Sequence, residues 1–265
     1  MDAIDQFKAN QKAAWATFAL LEHLTGTSAP HLVRFAGIRA GASVLDVACG
    51  TGVVALTAAR TGARVQGLDL TPELVAHARE NAALMKLDAS FQEGDVEALP
   101  FPDATFDVVV SQFGHMFAPR PDVAVGQMLR VLKPGGTIAF ATWPPELFVG
   151  RWFAMMGRYA PPPAAGVSPP PQWGDPNIVR ERLGSAVRDL AFTRRTMYFP
   201  TLSPQHYRLQ MAENFGPAKK LLESLDASDP AKAAALRGEI EILAEIYFED
   251  NRVRQDFLLT RAIKA

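Results

Sequence analysis

A strand-like segment, SVLDVAC, runs straight into Gly50-Thr51-Gly52-Val53-Val54-Ala55, a G-x-G-x-x-A turn that opens a helical stretch. Glycines at such a turn let the backbone approach a ligand closely, and the helix N-terminus favours negative charge. Asp69 ends the next strand-like segment, 23 residues after Asp46, where a carboxylate can accept both hydroxyls of a ribose. On these residues alone the site serves NAD, FAD or S-adenosylmethionine equally. Asp46 separates them. It stands four residues before Gly50 and aims a carboxylate at the glycine loop, so a pyrophosphate there is repelled by roughly a few kcal/mol in a partly desolvated site. A ligand carrying an ammonium and a sulfonium is attracted instead. The plainer alternative is a buried strand aspartate bonded to loop amides, which shapes the same loop.

From Ala42 onward, SVLDVAC, ARVQGLDL, ASFQEGD, FDVVVSQ and GTIAFATW read as strands, with VVALTAARTG, PELVAHARENAALMKL and VAVGQMLRVLKPGG between them as helices. Strand and helix alternating every ~20–30 residues implies right-handed crossovers and a parallel sheet covered on both faces. Before the sheet, residues 3–24 predict an amphipathic helix. Ile4, Phe7, Ala14, Phe18 and Leu21 share a stripe, Trp15 lies beside it, and Thr25-Gly26 stops it. After Trp143 the regularity breaks. Residues 161–171 hold six prolines and can be neither helix nor central strand. A short helix over 177–183, strands over 187–199 and 253–264, and a helix over 231–249 complete the reading.

At ~150 residues per domain, a chain of 265 is one elaborated domain or a core with a small cap. With 48% hydrophobic and 21% charged residues it is no disordered chain. Its 27 basic and 28 acidic residues give a net charge of −1, which disfavours binding to phosphate backbones. The best basic cluster, Arg180, Arg182, Arg188, Arg194 and Arg195, is diluted by Glu181 and Asp189. Cys49 is the only cysteine; it excludes an intrachain disulfide and suits a reducing cytosol. MDAIDQFKAN lacks the apolar core of a signal peptide, and no run of 18 apolar residues occurs. A cytoplasmic protein with no membrane span is expected.

In order, VLDVACGTG, GLD (67–69), EGDVEALPF (93–101), FDVVVS (106–111) and MLRVLKPGGTIAFATW (128–143) resemble the class I S-adenosylmethionine-dependent methyltransferases. In flavour they are nearest the ubiquinone/menaquinone-biosynthesis-like small-molecule group. The resemblance is strong over residues 40–145 and looser over the terminal hairpin. It implies an α/β, Rossmann-like fold: a seven-stranded, mostly parallel sheet with an antiparallel last strand, a helical N-terminal cap and a C-terminal helical insertion. Cap helices would occupy 1–40 and the S-adenosylmethionine-binding core 41–145. Residues 146–265 would hold the substrate cap, the insertion helices and a terminal β-hairpin that completes the sheet.

The same resemblance implies roles. The loop from Asp46 through Ala48 and Gly50 to Gly52 would hold the methionine amino and carboxylate ends. Asp69 would take the ribose hydroxyls, with Leu70 packing on the adenine. Asp95 would accept from the adenine amino group, Val96 would offer its amide to the ring, and Ser111 would present backbone beside the methionyl portion. Lys133-Pro134-Gly135-Gly136 resembles the family's turn into strand five. Cys49 reads as a small loop residue, although a helix N-terminus lowers a thiol pKa.

The segment Ser111-Gln112-Phe113-Gly114-His115 lacks the Asn/Asp-Pro-Pro-aromatic tetrad of amino-methylating DNA enzymes. The acidic cluster with which catechol-type enzymes hold Mg²⁺ is missing too, so no metal is expected. His115, four residues past Ser111, is the candidate for acceptor contact and general base, because an imidazole of pKa ~6.5 can take a proton. A hydrogen bond within the loop is its rival role. Phe113, Met116, Trp143, Trp152 and Tyr159 are expected to line a dry acceptor pocket, with packing under cap helices as the alternative. The N-terminal helix is expected to close over the cofactor cleft through Trp15 and Phe18. The expected function is metal-independent, in-line methyl transfer to a small apolar or aromatic acceptor. A protein or RNA methyltransferase, an inactive cofactor-binding module and an NAD-linked oxidoreductase are the alternatives.

Overall fold

A computed structural model describes residues 3–16, 22–162 and 166–265. The chain opens with α1 (Ala3–Trp15), α2 (Glu22–Gly26) and α3 (Ala29–Phe35). The strands β1 (Ser43–Val47), β2 (Arg64–Asp69), β3 (Ala89–Glu93), β4 (Phe106–Gln112) and β5 (Leu132–Thr142) follow. They are separated in part by α4 (Val53–Ala59), α5 (Pro72–Met85) and α6 (Pro121–Val131). All pairings among these strands are parallel. β1 and β4 are almost wholly buried, which is why they read as continuous apolar runs rather than alternating ones.

After β5 come α7 (Phe148–Tyr159), α8 (Pro176–Leu183), β6 (Val187–Pro200), α9 (Pro204–Asn214), α10 (Gly216–Ser228), α11 (Pro230–Tyr247), β7 (Phe248–Glu249) and β8 (Arg252–Lys264). The sheet order is β3-β2-β1-β4-β5-β8-β6, with β8 antiparallel to both its neighbours. The expected seven strands are therefore joined by an eighth, the two-residue β7, which pairs with β8. Strand order reverses between β1 and β4, and in open α/β sheets ligands bind outside the carboxyl ends at such a point.

Two details of the reading change. The expected helix over 3–24 ends at Trp15, α2 starts at Glu22, and Phe18 and Leu21 lie outside the described residues. Helices α9 and α10 were not expected. They start at clear signals all the same. For α9, Ser203 accepts from His206 N at 3.1 Å ahead of Pro204, a side-chain cap with proline in the first turn, whereas α10 follows Phe215 with Pro217 in its first turn and no side-chain cap.

The end of β5 is clamped where glycine alone fits. A Cβ on Gly174 would sit 2.1 Å from the Trp143 carbonyl oxygen, and one on Gly150 2.1 Å from that of Pro144. Thr142 Oγ1 donates to the Trp173 carbonyl at 2.9 Å. These contacts fix α7 and Trp143 above the sheet edge. Among the described residues no helix is long and apolar enough to cross a membrane.

Candidate active site

The carboxyl ends of β1 to β5 open into a cavity of about 230 Å³. Its first wall is the loop after β1, where Ala48, Gly50 and Gly52 all have positive φ. A Cβ on Gly50 would meet nothing within 4 Å, whereas one on Gly52 would lie 3.1 Å from the Phe91 ring. Gly50 thus leaves room on the cavity side, and Gly52 lets α4 pack on the sheet. Asp69 Oδ2 accepts from Gly50 N at 2.8 Å and Oδ1 from Thr71 N at 2.9 Å. Burial raises its pKa, and the two amides oppose that rise. Beyond β3, Asp95 Oδ1 accepts from Glu97 N at 2.8 Å. Ala48, Gly50, Asp69, Leu70, Asp95 and Val96 all line the cavity.

Asp46, Gly52 and Ser111 do not line it. Asp46 lies behind the loop, 1% exposed, with Oδ2 accepting from Ala55 N at 3.0 Å. That is the plainer of its two expected roles. Burial pushes its pKa up to about 8, so it is mostly protonated at neutral pH. The repulsion of a pyrophosphate expected from Asp46 is therefore weak, and the acidic character of the cavity comes from Asp69 and Asp95. Ser111 works through its side chain. Its Oγ donates to the Val47 carbonyl at 2.8 Å and accepts from His115 N at 3.1 Å, tying β1 to the loop after β4. There a Cβ on Gly114 would lie 2.5 Å from Ala48 Cβ.

Helix α1 roofs this end of the cavity with Phe7, Lys8, Gln11 and Trp15. Lys8 Nζ donates to Asp95 Oδ2 and to Glu97 Oε2, both at 2.6 Å, and Lys12 pairs with Glu93. Arg120 also pairs with Glu97, at 2.8 Å. The Trp15 ring packs on Phe117 at 4.8 Å and Phe215 at 5.6 Å. No residue of α1 is fully buried, so ion pairs and one aromatic anchor hold it.

The opposite end is aromatic. Phe113 stacks on Trp143 with ring centroids 3.9 Å apart and an interplanar angle of 10°. Phe113 takes φ of 60°, a costly conformation for a bulky residue and one typical of functional loops. Phe148 and Trp152 of α7, Phe199 of β6 and Tyr207 of α9 form one ring cluster. The Tyr207 hydroxyl bonds the Gln255 side chain, and burial raises its pKa. Phe113, Trp143 and Trp152 line the cavity as expected, while Met116 and Tyr159 do not. Met116 is core, 1% exposed. Tyr159 Oη donates to Glu239 Oε1 at 2.7 Å, joining α7 to α11 instead. Tyr207, Met211, Phe215 and Gln255 were missed. The first three recur every four residues between the Ser203 cap and Gly216, a helical spacing that could have found them.

His115 is turned away from the cavity. It is 1% exposed and wedged between Phe140 at 4.7 Å and Trp173 at 4.8 Å, and neither ring nitrogen has a hydrogen-bond partner. Burial, with the Arg182 charge second, holds its pKa down to about 3. A ring so placed has no path for taking a proton from a ligand, which corrects the general-base expectation. His115→Gln should keep turnover per folded molecule within about threefold. A general base would cost ~10²–10⁴-fold, so initial rates on the refolded variant decide.

The buried acid Asp46 and the buried base His115 also set a pH dependence. Between pH 3.8 and about 8 native Asp46 holds a proton that the unfolded chain releases, so its contribution to stability falls as pH rises. Between about 3 and 6.5 the unfolded chain binds a proton that native His115 refuses, so that contribution rises with pH. The two oppose each other up to pH 6.5, and above it Asp46 acts alone of the pair. Stability should fall from pH 6.5 to 8, by at most about tenfold in the folding equilibrium per pH unit. Asp46→Asn, which keeps an acceptor for Ala55 N, should flatten that fall; urea midpoints at both pH values measure it.

Among the described residues, no group of three or more His, Cys, Asp or Glu side chains could hold a metal. The arginines of the basic cluster are engaged. Arg180 lies over the Phe192 ring at 5.0 Å and Arg182 over Trp173 at 4.6 Å, while Arg188 pairs with Asp189 and Arg194 with Glu146.

Relatives share this framework. A family described as a methyltransferase domain matches residues 44–136. An uncharacterized protein of Mycobacterium tuberculosis is 37% identical over 262 residues, covering 97% of this chain and 94% of the relative. The demethylmenaquinone methyltransferase of Thermus thermophilus is 41% identical over 104 residues, 38% of this chain and 47% of that enzyme. The chain belongs to the class I S-adenosylmethionine-dependent methyltransferases. Its cofactor is S-adenosylmethionine. The fold agrees with that of phosphoethanolamine N-methyltransferase 2 of Haemonchus contortus, solved with S-adenosyl-L-methionine. The TM-score is 0.57 at 18% identity, over 90% of this chain and 52% of that one. The cavity of this methyltransferase fits the cofactor on its own terms: an open face at Gly50, two carboxylates and an apolar patch at Leu70 lie on one wall.

Proposed function

We propose that this methyltransferase passes the methyl group to a small apolar or aromatic acceptor, in line and without a metal. One observation carries the reading: a single cavity runs from Asp69 and Asp95 to Trp143, Trp152 and Tyr207. Bound there, S-adenosylmethionine supplies a methyl group already activated by its positive sulfur. Asp69 has lone pairs to spare beyond Gly50 and Thr71 and takes the ribose hydroxyls. Leu70 packs on the adenine, Asp95 accepts its amino group, and the Val96 amide meets the ring. The Ala48–Gly50 backbone holds the methionine end. The roof of α1 excludes water, which strengthens every charge interaction beneath it. The Phe113–Trp143 stack and the α7 rings hold the acceptor in the line of attack, and such positioning is worth an effective concentration of ~10⁵–10⁸ M. A quinone-type acceptor for the Thermus relative, as its name states, agrees in kind with an aromatic pocket. The single, buried Cys49 fits a cytoplasmic setting. A screen with methyl-labelled S-adenosylmethionine tests the proposal. Label should enter small aromatic or apolar compounds; label only in protein or RNA would contradict it.

A further inference from the structure

The ionisable residues that line the cavity are unevenly placed. Lys8, Asp69 and Asp95 stand at the cofactor end, Cys49 lies on the glycine loop, and Tyr207 alone stands at the aromatic end. Lys8 is tied to Asp95 and Glu97, and Asp69 to Gly50 and Thr71. Burial keeps the Cys49 and Tyr207 pKa values high, so both stay protonated. His115 is sealed behind Phe140 and Trp173. Of the residues outside the described set, 1–2, 17–21 and 163–165, Asp2 alone carries an ionisable side chain. Among the described residues, then, the acceptor end can orient a ligand through Tyr207 and Gln255 but cannot take its proton. It also offers no carboxylate to receive an ammonium. An amine, protonated in water, would meet a second cation at the sulfonium; an anion would meet its counter-charge.

We infer that this pocket takes acceptors that shed their own proton, with the attacking atom an ionised oxygen, sulfur or carbon on an otherwise apolar body: acidic phenols, thiols and enols. The inference rests on the methyl-transfer reading above. The acceptor loses its proton to solvent before the step. Its lone pair then forms the bond to the methyl carbon, while the pair of the broken carbon–sulfur bond stays on sulfur. One anion and one cation become two neutral groups, and the protein handles no proton. Tyr207 and Gln255 remain to hold a polar group on the acceptor's rim.

Three probes with ionisation visible in their absorbance test this: 4-nitrophenol, 4-nitrothiophenol and benzoylacetone. Each is titrated with pH in the presence of the full chain and sinefungin, an unreactive analogue with an ammonium in place of the sulfonium. The bound probe should ionise at least one pH unit below the free probe, because the fixed cation of the analogue favours the anion by more than burial among apolar walls disfavours it. A bound probe that ionises at higher pH, or no binding by any of the three while S-adenosylmethionine binds, overturns the inference and leaves the methyltransferase reading standing. Failure of S-adenosylmethionine itself to bind overturns the reading beneath it. In turnover, the pH at which the rate rises should move with the acidity of the acceptor and should stay in place in Tyr207→Phe, whose KM rises a few-fold. A limb fixed at one pH for all probes, a limb lost in Tyr207→Phe, or preferred methylation of benzylamine would each point to an enzyme base or a cationic acceptor and refute it.

Discussion

Asp69→Ala is expected to weaken S-adenosylmethionine binding by about 1–3 kcal/mol, because buried ribose hydroxyls lose a charged acceptor. That is roughly a fivefold to hundredfold rise in Kd. Asp69 also accepts from Gly50 N and Thr71 N, so the alanine variant leaves two backbone donors short of a partner and loosens the loop that faces the methionine end. The upper part of the range is therefore expected. The fold should survive, since the carboxylate stands at the last residue of β2 and the strand pairing on both sides is backbone to backbone. Asp69→Asn separates the two contributions, because it keeps one oxygen to accept an amide while losing the charge. Calorimetry on each folded variant checks this. Unchanged affinity in folded Asp69→Ala would remove Asp69 from the ribose role.

Deleting residues 1–15 should cost binding at least about tenfold, or ~1.4 kcal/mol, while the remaining chain stays folded. The roof contributes apolar wall from Phe7 and Trp15 and the ammonium that pairs with Asp95. Without it the Asp95 carboxylate faces bulk water, where its interactions weaken. Folding should tolerate the loss, since α1 contributes no fully buried residue and its hold on the body is made of ion pairs and the contacts of Trp15. A milder variant, Lys8→Ala, removes the latch and leaves the wall, and should fall between the two. Normal affinity in the truncated chain would reduce α1 to packing.

How far the sequence could be read varied with the kind of signal. β1 and β4 were legible because strands buried on both faces are written as unbroken apolar runs. β2 and the edge strand β3 are only partly buried, and there Asp69 at the end of β2 and Asp95 two residues past β3 were legible from their place in the motifs GLD and EGD. What the sequence does not carry is side-chain direction. Asp46 was placed on the right strand, yet its carboxylate turns behind the loop to Ala55 rather than into the cavity. His115 was placed in the right loop, yet a single turn of 3-10 helix over His115–Phe117 points its ring inward to Phe140. Tyr159 was assigned to the pocket by type, but an acidic partner on α11, Glu239, draws it the other way. The acceptor wall of α9 was hidden for a different reason. Tyr207 and Met211 sit among polar neighbours, so their four-residue spacing is the one signal the sequence offers there, and packing against α7 and β6 decides where that face turns.

The central claim is that the cavity beneath α1 binds S-adenosylmethionine through Asp69 and Asp95. Parallel calorimetric titrations of the full chain with S-adenosylmethionine and NAD address it most directly. Saturable binding of S-adenosylmethionine at one site per chain, lost or weakened in Asp69→Ala, with no heat from NAD, is the predicted result. Saturable NAD binding, or S-adenosylmethionine binding indifferent to Asp69, would contradict it.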